Sequence, residues 1–168
     1  MFVARFANKV RHSRPAAAGM PTATRSSPVC FALYVKEVMT KYPEAVEKSK
    51  VGEYPAHTKS GGGYFYDDVL EYRVWCRPWQ GAPDEFEGEI YYYAFATFEE
   101  AFKFSEETKG SENPLVLVRQ KEWINEPEAG TYIPEKGERL TEWLVEWLED
   151  SKRNENSISK FIEANGNV

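Results

Sequence analysis

The sequence predicts an α+β fold: a small domain ordered β-β-α-β-α, preceded by a helical extension. Three observations carry that expectation. Polar and apolar residues alternate along Val69–Pro78, the period of a strand with one buried face. Thr97-Phe98-Glu99-Glu100 is a helix-start signature in which a threonine caps the Glu100 amide. Near the C-terminal end, Leu140, Trp143, Leu144, Trp147 and Leu148 recur at i, i+3, i+4, i+7 and i+8, the stripe of an amphipathic helix, with an alternating strand as the other reading of its first half.

The elements follow in chain order. Residues 1–28 contain five basic side chains (Arg5, Lys9, Arg11, Arg14 and Arg25) and no acid, among many Ser, Thr and Ala. That is the composition of a mitochondrial transit peptide. Phe2, Phe6 and Val10 recur every fourth residue, as an amphipathic helix requires. Cleavage is expected near Arg25–Pro28, with retention as the alternative. Residues 29–63 are read as a helical extension followed by a Gly-rich linker. Phe31, Val35, Val38, Met39 and Tyr42 form the apolar stripe of the extension, Pro43 marks a kink or the first turn of a second short helix, and Gly61-Gly62-Gly63 a flexible joint.

The predicted α+β domain spans residues 64–150. In its first strand Leu70, Tyr72, Val74 and Cys76 face inward and Glu71, Arg73 and Arg77 outward, with Trp75 among them. The aromatic run Ile90–Ala96 is the second strand. A short helix follows Thr97, with Phe98, Ala101, Phe102 and Ser105 on its inner face. Leu115–Ile124 is the third strand, and the closing helix carries the Leu140–Leu148 stripe. Residues 151–168 are a polar tail able to dock through Ile158, Phe161 and Ile162.

Composition narrows the function classes. The 168 residues include 21 Lys and Arg against 27 Asp and Glu, a net charge of −6. Without the five basic side chains of the first segment, 16 basic residues stand against 27 acidic ones, a net charge of −11 for residues 29–168. Such a body repels a phosphate backbone and argues against nucleic-acid binding. No uncharged apolar run approaches the roughly 18–20 residues that cross a bilayer. Two cysteines, Cys30 and Cys76, make neither a disulfide scaffold nor a zinc knuckle.

The string EYRVWCRPWQGAPDEF, the block YYYAFATFEEAFKFSE, the run PLVLVRQKEWINEPEAGTY and the ending ERLTEWLVEWL together resemble a family of small bacterial proteins. Those proteins are often labelled GNAT-type acetyltransferases, and the resemblance covers about residues 68–150. The whole chain, a basic presequence and an extension fused to that module, resembles in type the supernumerary subunits that some protists add to mitochondrial energy-transducing complexes.

The residues themselves supply little chemistry. Acetyl-CoA binding needs a Q/R-x-x-G-x-G/A turn that opens a helix. Gln80-Gly81-Ala82 is the nearest approach, with different spacing and no helix behind it. His57 is the single histidine beyond the presequence and sits in the linker; Cys76 falls on an apolar strand face and reads as a core residue. Asp67, Asp68 and Glu71 lack the loop that calcium prefers. No catalytic, cofactor-binding or metal-ligating residue is therefore assigned, and no cofactor is expected. Aromatic side chains exceed what so small a core must hide, and Trp and Tyr dominate binding hot spots. Trp79, Trp143, Trp147 and Phe161 are the interface candidates, with core packing the competing role for Trp143 and Trp147.

The expected function is that of a non-catalytic accessory subunit of a mitochondrial inner-membrane complex, respiratory chain or ATP synthase. It would be peripheral, on the matrix side, with other subunits as partners. The alternatives are a small acyl-CoA-dependent acetyltransferase-like enzyme and a peripheral mitochondrial ribosome protein.

Overall fold

Apolar and charged residues alternate along one nine-residue strand at the centre of the sheet, with an antiparallel neighbour on each side. The structure is a computed structural model and describes residues 2–5 and 42–166. In chain order its elements are β1 (Phe2–Arg5), β2 (Lys59–Ser60), β3 (Asp68–Cys76), β4 (Tyr91–Phe95), α1 (Phe98–Glu107), β5 (Leu115–Asn125), β6 (Ile133–Leu144) and α2 (Ser157–Asn165). Short 3-10 turns occupy Lys48–Lys50, Pro78–Gln80 and Val145–Leu148. The strands form one sheet in the order β1-β4-β3-β5-β6-β2. Its four central strands are antiparallel; β1 adds antiparallel to β4, and the two residues of β2 pair parallel to β6.

The fold is mixed α+β, but its last layer differs from the expected one. Leu140–Leu144 is the end of strand β6, paired residue by residue with β5: Arg119 with Leu140, Val118 with Thr141, Val116 with Trp143. The stripe at i, i+3 and i+4 places apolar residues on both faces of a strand as readily as on one face of a helix. Pairing with a long neighbour decides between them, since tertiary context overrides local propensity. The helical spacing survives only past Leu144, as the 3-10 turn that buries Val145 and Leu148. The tail in turn contains α2.

The transit peptide and the first part of the helical extension, residues 6–41, lie outside the described residues, except that Phe2–Arg5 is a strand and not the start of a helix. Residues 42–63 are neither a helix nor a loose joint. They run along the sheet with one 3-10 turn and bury Ala45, Val51 and Ala56.

The two faces of the sheet have different characters. The face that carries α1 buries Tyr72, Val74, Cys76, Tyr91, Tyr93, Phe95, Val116, Val118 and Trp143 in one cluster. Rings meet at short range there: Tyr93 and Phe104 centroids are 4.7 Å apart, Phe95 and Phe104 5.3 Å. Each buried ring contributes about 1.5–3 kcal/mol by area. The Thr97 hydroxyl accepts from the Glu100 amide at 3.3 Å and starts α1 where the capping signature puts it. A bulge between Val69 and Glu71 inserts Leu70 as an extra residue, so that Val69 and Tyr72, three positions apart, both reach the α1 face.

The opposite face carries Glu71, Arg73, Trp75, Tyr92 and Ala94, covered by the strap of residues 43–60. The sequence assigns Glu71 and Arg73 to solvent; both are fully buried.

Candidate functional site

The polar residues of β3 explain why no reactive group emerges on the strapped face. Arg73 Nε donates to Glu71 Oε1 at 2.7 Å and Nη1 to Glu142 Oε1 at 2.8 Å. Nη2 donates to the Pro55 carbonyl at 2.9 Å, and the guanidinium carbon lies 4.5 Å from the Tyr92 ring centroid. Burial works against the guanidinium charge, but Glu71, Tyr92 and Glu142 outweigh it, so its pKa stands above the ordinary value. Glu71 Oε2 accepts the Gly52 amide at 2.6 Å. Two of these bonds join β3 to itself and to β6, and two hold the strap to the sheet, so the network reads as structural.

The three carboxylates at the start of β3 are likewise engaged. Asp67 takes Arg153 Nε at 2.8 Å and the Lys121 amide at 2.6 Å; Asp68 faces Arg119 at 3.4 Å. Among the described residues no group of three or more His, Cys, Asp or Glu converges as metal ligands would. Cys76 is a free thiol with no exposure, and burial first of all pushes its pKa up to about 11. A thiol so protonated is a poor nucleophile.

The surface site with a defined shape is the turn after β3. Pro78 fixes the first residue of a 3-10 turn, and Gly81 closes it at φ 103°, its amide donating to the Pro78 carbonyl at 3.0 Å. The Arg77 amide donates to the Gly110 carbonyl at 2.9 Å, and Arg77 Nε binds Glu112 Oε1 at 2.5 Å. The same guanidinium lies 5.7 Å from the centroid of Trp79. Trp79 is thereby held on a tied turn with 60% of its surface exposed. Its chemistry is that of an anchor: a large apolar area presented without the freedom of a floppy loop.

The other interface candidates are distributed differently. Trp143 is 2% exposed and packs edge-on to Tyr66 at 5.9 Å. Its burial corrects the assignment as an anchor for a protein partner, because so little of the side chain reaches the outer surface. Trp147, on the 3-10 turn after β6, is 43% exposed and edge-on to Trp143 at 6.2 Å. Phe161 is half-buried and engaged within the chain, against Tyr64 at 4.6 Å and Tyr132 at 5.1 Å. It fastens α2 to the loops beside β5. Trp79 and Trp147 thus remain available at the surface, on different elements.

No family model matches this chain, and neither a curated protein nor a solved structure shows significant similarity to it. Among the described residues no helix is long and apolar enough to cross a membrane.

Proposed function

We propose that this protein is a non-catalytic accessory subunit of a mitochondrial inner-membrane assembly, of the respiratory chain or ATP synthase, and that it works by docking on neighbouring subunits. The observation that carries the reading is Trp79, 60% exposed on a turn tied by Pro78, Gly81 and the Arg77–Glu112 pair. Burying an exposed tryptophan that is already ordered costs little conformational entropy, and such residues are the commonest hot spots. The acid-free, basic first segment supplies the organellar address.

The test is blue-native electrophoresis of mitochondria expressing a tagged full-length chain beside its Trp79→Ala variant. The wild type should migrate within a large assembly. The variant, equally imported and equally stable, should lose most of that association, as removal of a hot spot worth about 2 kcal/mol or more implies. Migration of the wild type solely as a free chain overturns the proposal.

A further inference from the structure

Strands β5 and β6 and the turn at Gly62 and Gly63 border a cleft of about 560 Å³, inside the roughly 300–1,000 Å³ typical of small-molecule sites. Its walls include Tyr64, Ile124, Trp143 and Trp147. Arg139 joins them because residues 139, 141 and 143 of β6 alternate onto one face of the sheet.

Two nitrogen donors of this lining have no partner. Trp143 Nε1 and Arg139 Nε are closed off from solvent and meet no acceptor. Both groups are donors only, and a buried donor left unpaired costs about 1–3 kcal/mol. Arg139 donates through Nη2 to the Gly61 carbonyl at 2.8 Å and lies 5.5 Å from the Trp123 ring centroid. No ion pair joins it to a carboxylate among the described residues, whereas Arg73, Arg77, Arg119 and Arg153 each have one. Burial lowers its pKa, with the charge of Glu135 acting in the other direction. Glu126 also lines the cleft, but it is taken up by the Tyr64 hydroxyl and the Gly130 amide. Glu149, the other carboxylate of the lining, is exposed.

We propose that this cleft binds a small organic carboxylate with a flat or hydrocarbon body, the carboxylate taken by Arg139 and the body lying against Tyr64, Trp143 and Trp147. Such a ligand supplies an acceptor for the two unpaired donors and an ion-pair partner for Arg139, and uses the apolar walls. Because the two donors are shut off from solvent, the ligand reaches them by inserting among the lining side chains. An ammonium ligand is the competing chemistry, drawn by the rings and by Glu126 and Glu149, but the Arg139 charge opposes it. The site lies apart from Trp79 and does not depend on the docking role.

The experiment is a titration of the 15N-labelled full-length chain with 4-phenylbutyrate, followed by the Trp indole and Arg Nε–H resonances. Saturable shifts at Trp143 and Arg139, with a dissociation constant below about 1 mM, are expected, while the Trp79 indole stays in place. The neutral 4-phenylbutanol should bind at least about tenfold more weakly, and 4-phenylbutylamine more weakly still. Arg139→Gln should remove the preference for the carboxylate over the alcohol. Trp147→Ala, a change at an exposed side chain that leaves the sheet intact, should weaken both ligands. Absence of saturable shifts with phenylbutyrate, or tighter binding of the amine, overturns the proposal.

Discussion

Replacing Arg73 by Met tests whether the strapped face is held by charge or merely covered. The substitution keeps the length of the side chain and removes its donors. Glu71, with no exposure of its own, then keeps a carboxylate that loses its 2.7 Å partner and retains the Gly52 amide. Breaking a buried pair by removing one member costs about 3–5 kcal/mol, because the other charge stays desolvated. The Pro55 carbonyl loses its donor as well, a loss of about 1 kcal/mol that falls within that range. Set against a total stability of about 5–15 kcal/mol, the drop is large, and it corresponds to a fall in Tm of about 10–20 °C. The double variant Glu71→Met with Arg73→Met separates charge from packing. It removes the stranded carboxylate, and Glu142, which retains some exposure, can turn to water. Replacing a whole buried pair by apolar side chains is often close to neutral, so the double variant should be more stable than Arg73→Met alone. Urea unfolding of both, followed by circular dichroism, gives the comparison. A cost below about 1 kcal/mol for Arg73→Met, or a double variant worse than the single one, would refute the reasoning.

Two further outcomes follow from the packing. Burial first of all pushes Tyr91 and Tyr92 up to about 12 and moves Tyr72 and Tyr93 upward as well. A proton held more tightly in the folded than in the unfolded chain stabilises the fold fully below the unfolded value of about 10, and that contribution drains away as pH rises toward 12. Ultraviolet titration of the ten tyrosines should therefore split, with the buried set ionising together with loss of the far-ultraviolet signal; one smooth titration centred near 10 with the fold intact contradicts this. At the glycine turn, a Cβ on Gly63 would meet Gln120 Nε2 at 2.2 Å at φ +92°, while one on Gly62 at φ +76° meets nothing within 4 Å. Gln120 is itself buried and donates to the Phe65 carbonyl at 2.7 Å, so it has little freedom to move. Gly62→Ala should cost about 1 kcal/mol, from the left-handed backbone, and Gly63→Ala at least about 1 kcal/mol more; equal thermal shifts for the two refute the steric argument.

Strands β3, β4 and β5 and helix α1 were legible because their signals are local: period-two alternation, an aromatic run and a capping threonine. The end of β6 was legible only as the second of two readings, because Leu140, Trp143 and Leu144 satisfy a helical spacing and a strand pairing equally, and only the partner strand distinguishes the two. The polar face of β3 misled for a related reason. Glu71 and Arg73 alternate with apolar residues as a solvent face does, and nothing within nine residues reveals that Glu142, on another strand, and the Pro55 carbonyl, on the strap, complete a network. One signal was available in retrospect. Opposite charges two apart on one strand face, next to Trp75, lie on a strand too aromatic to be half-wet. Trp79 was legible as exposed because prolines and glycines around it forbid regular structure. Trp143 and Trp147 could not be told apart by spacing, since their fates depend on where the chain leaves the sheet.

The strap also moves the boundary of the folding unit. A domain drawn at residues 64–150 omits Ala45, Val51 and Ala56, which cover Tyr92 and Ala94, and leaves Arg73 without the Pro55 carbonyl. It omits β2, which pairs Lys59 and Ser60 with Thr141 and Glu142 on β6. At the other end it omits Arg153, whose side chain reaches Asp67 at 2.6 Å and Glu122 at 3.2 Å, and whose amide donates to the Tyr66 carbonyl at 2.8 Å. The fragment would expose a buried ion pair and an apolar patch together, and partly satisfied polar networks destabilise more than apolar cores do. Expressed alone, residues 64–150 should show no cooperative thermal transition, whereas residues 42–166 should unfold cooperatively. If the shorter fragment melts as sharply and at the same temperature as the full chain, the strap is a passenger and the Arg73 network carries no share of the stability assigned to it.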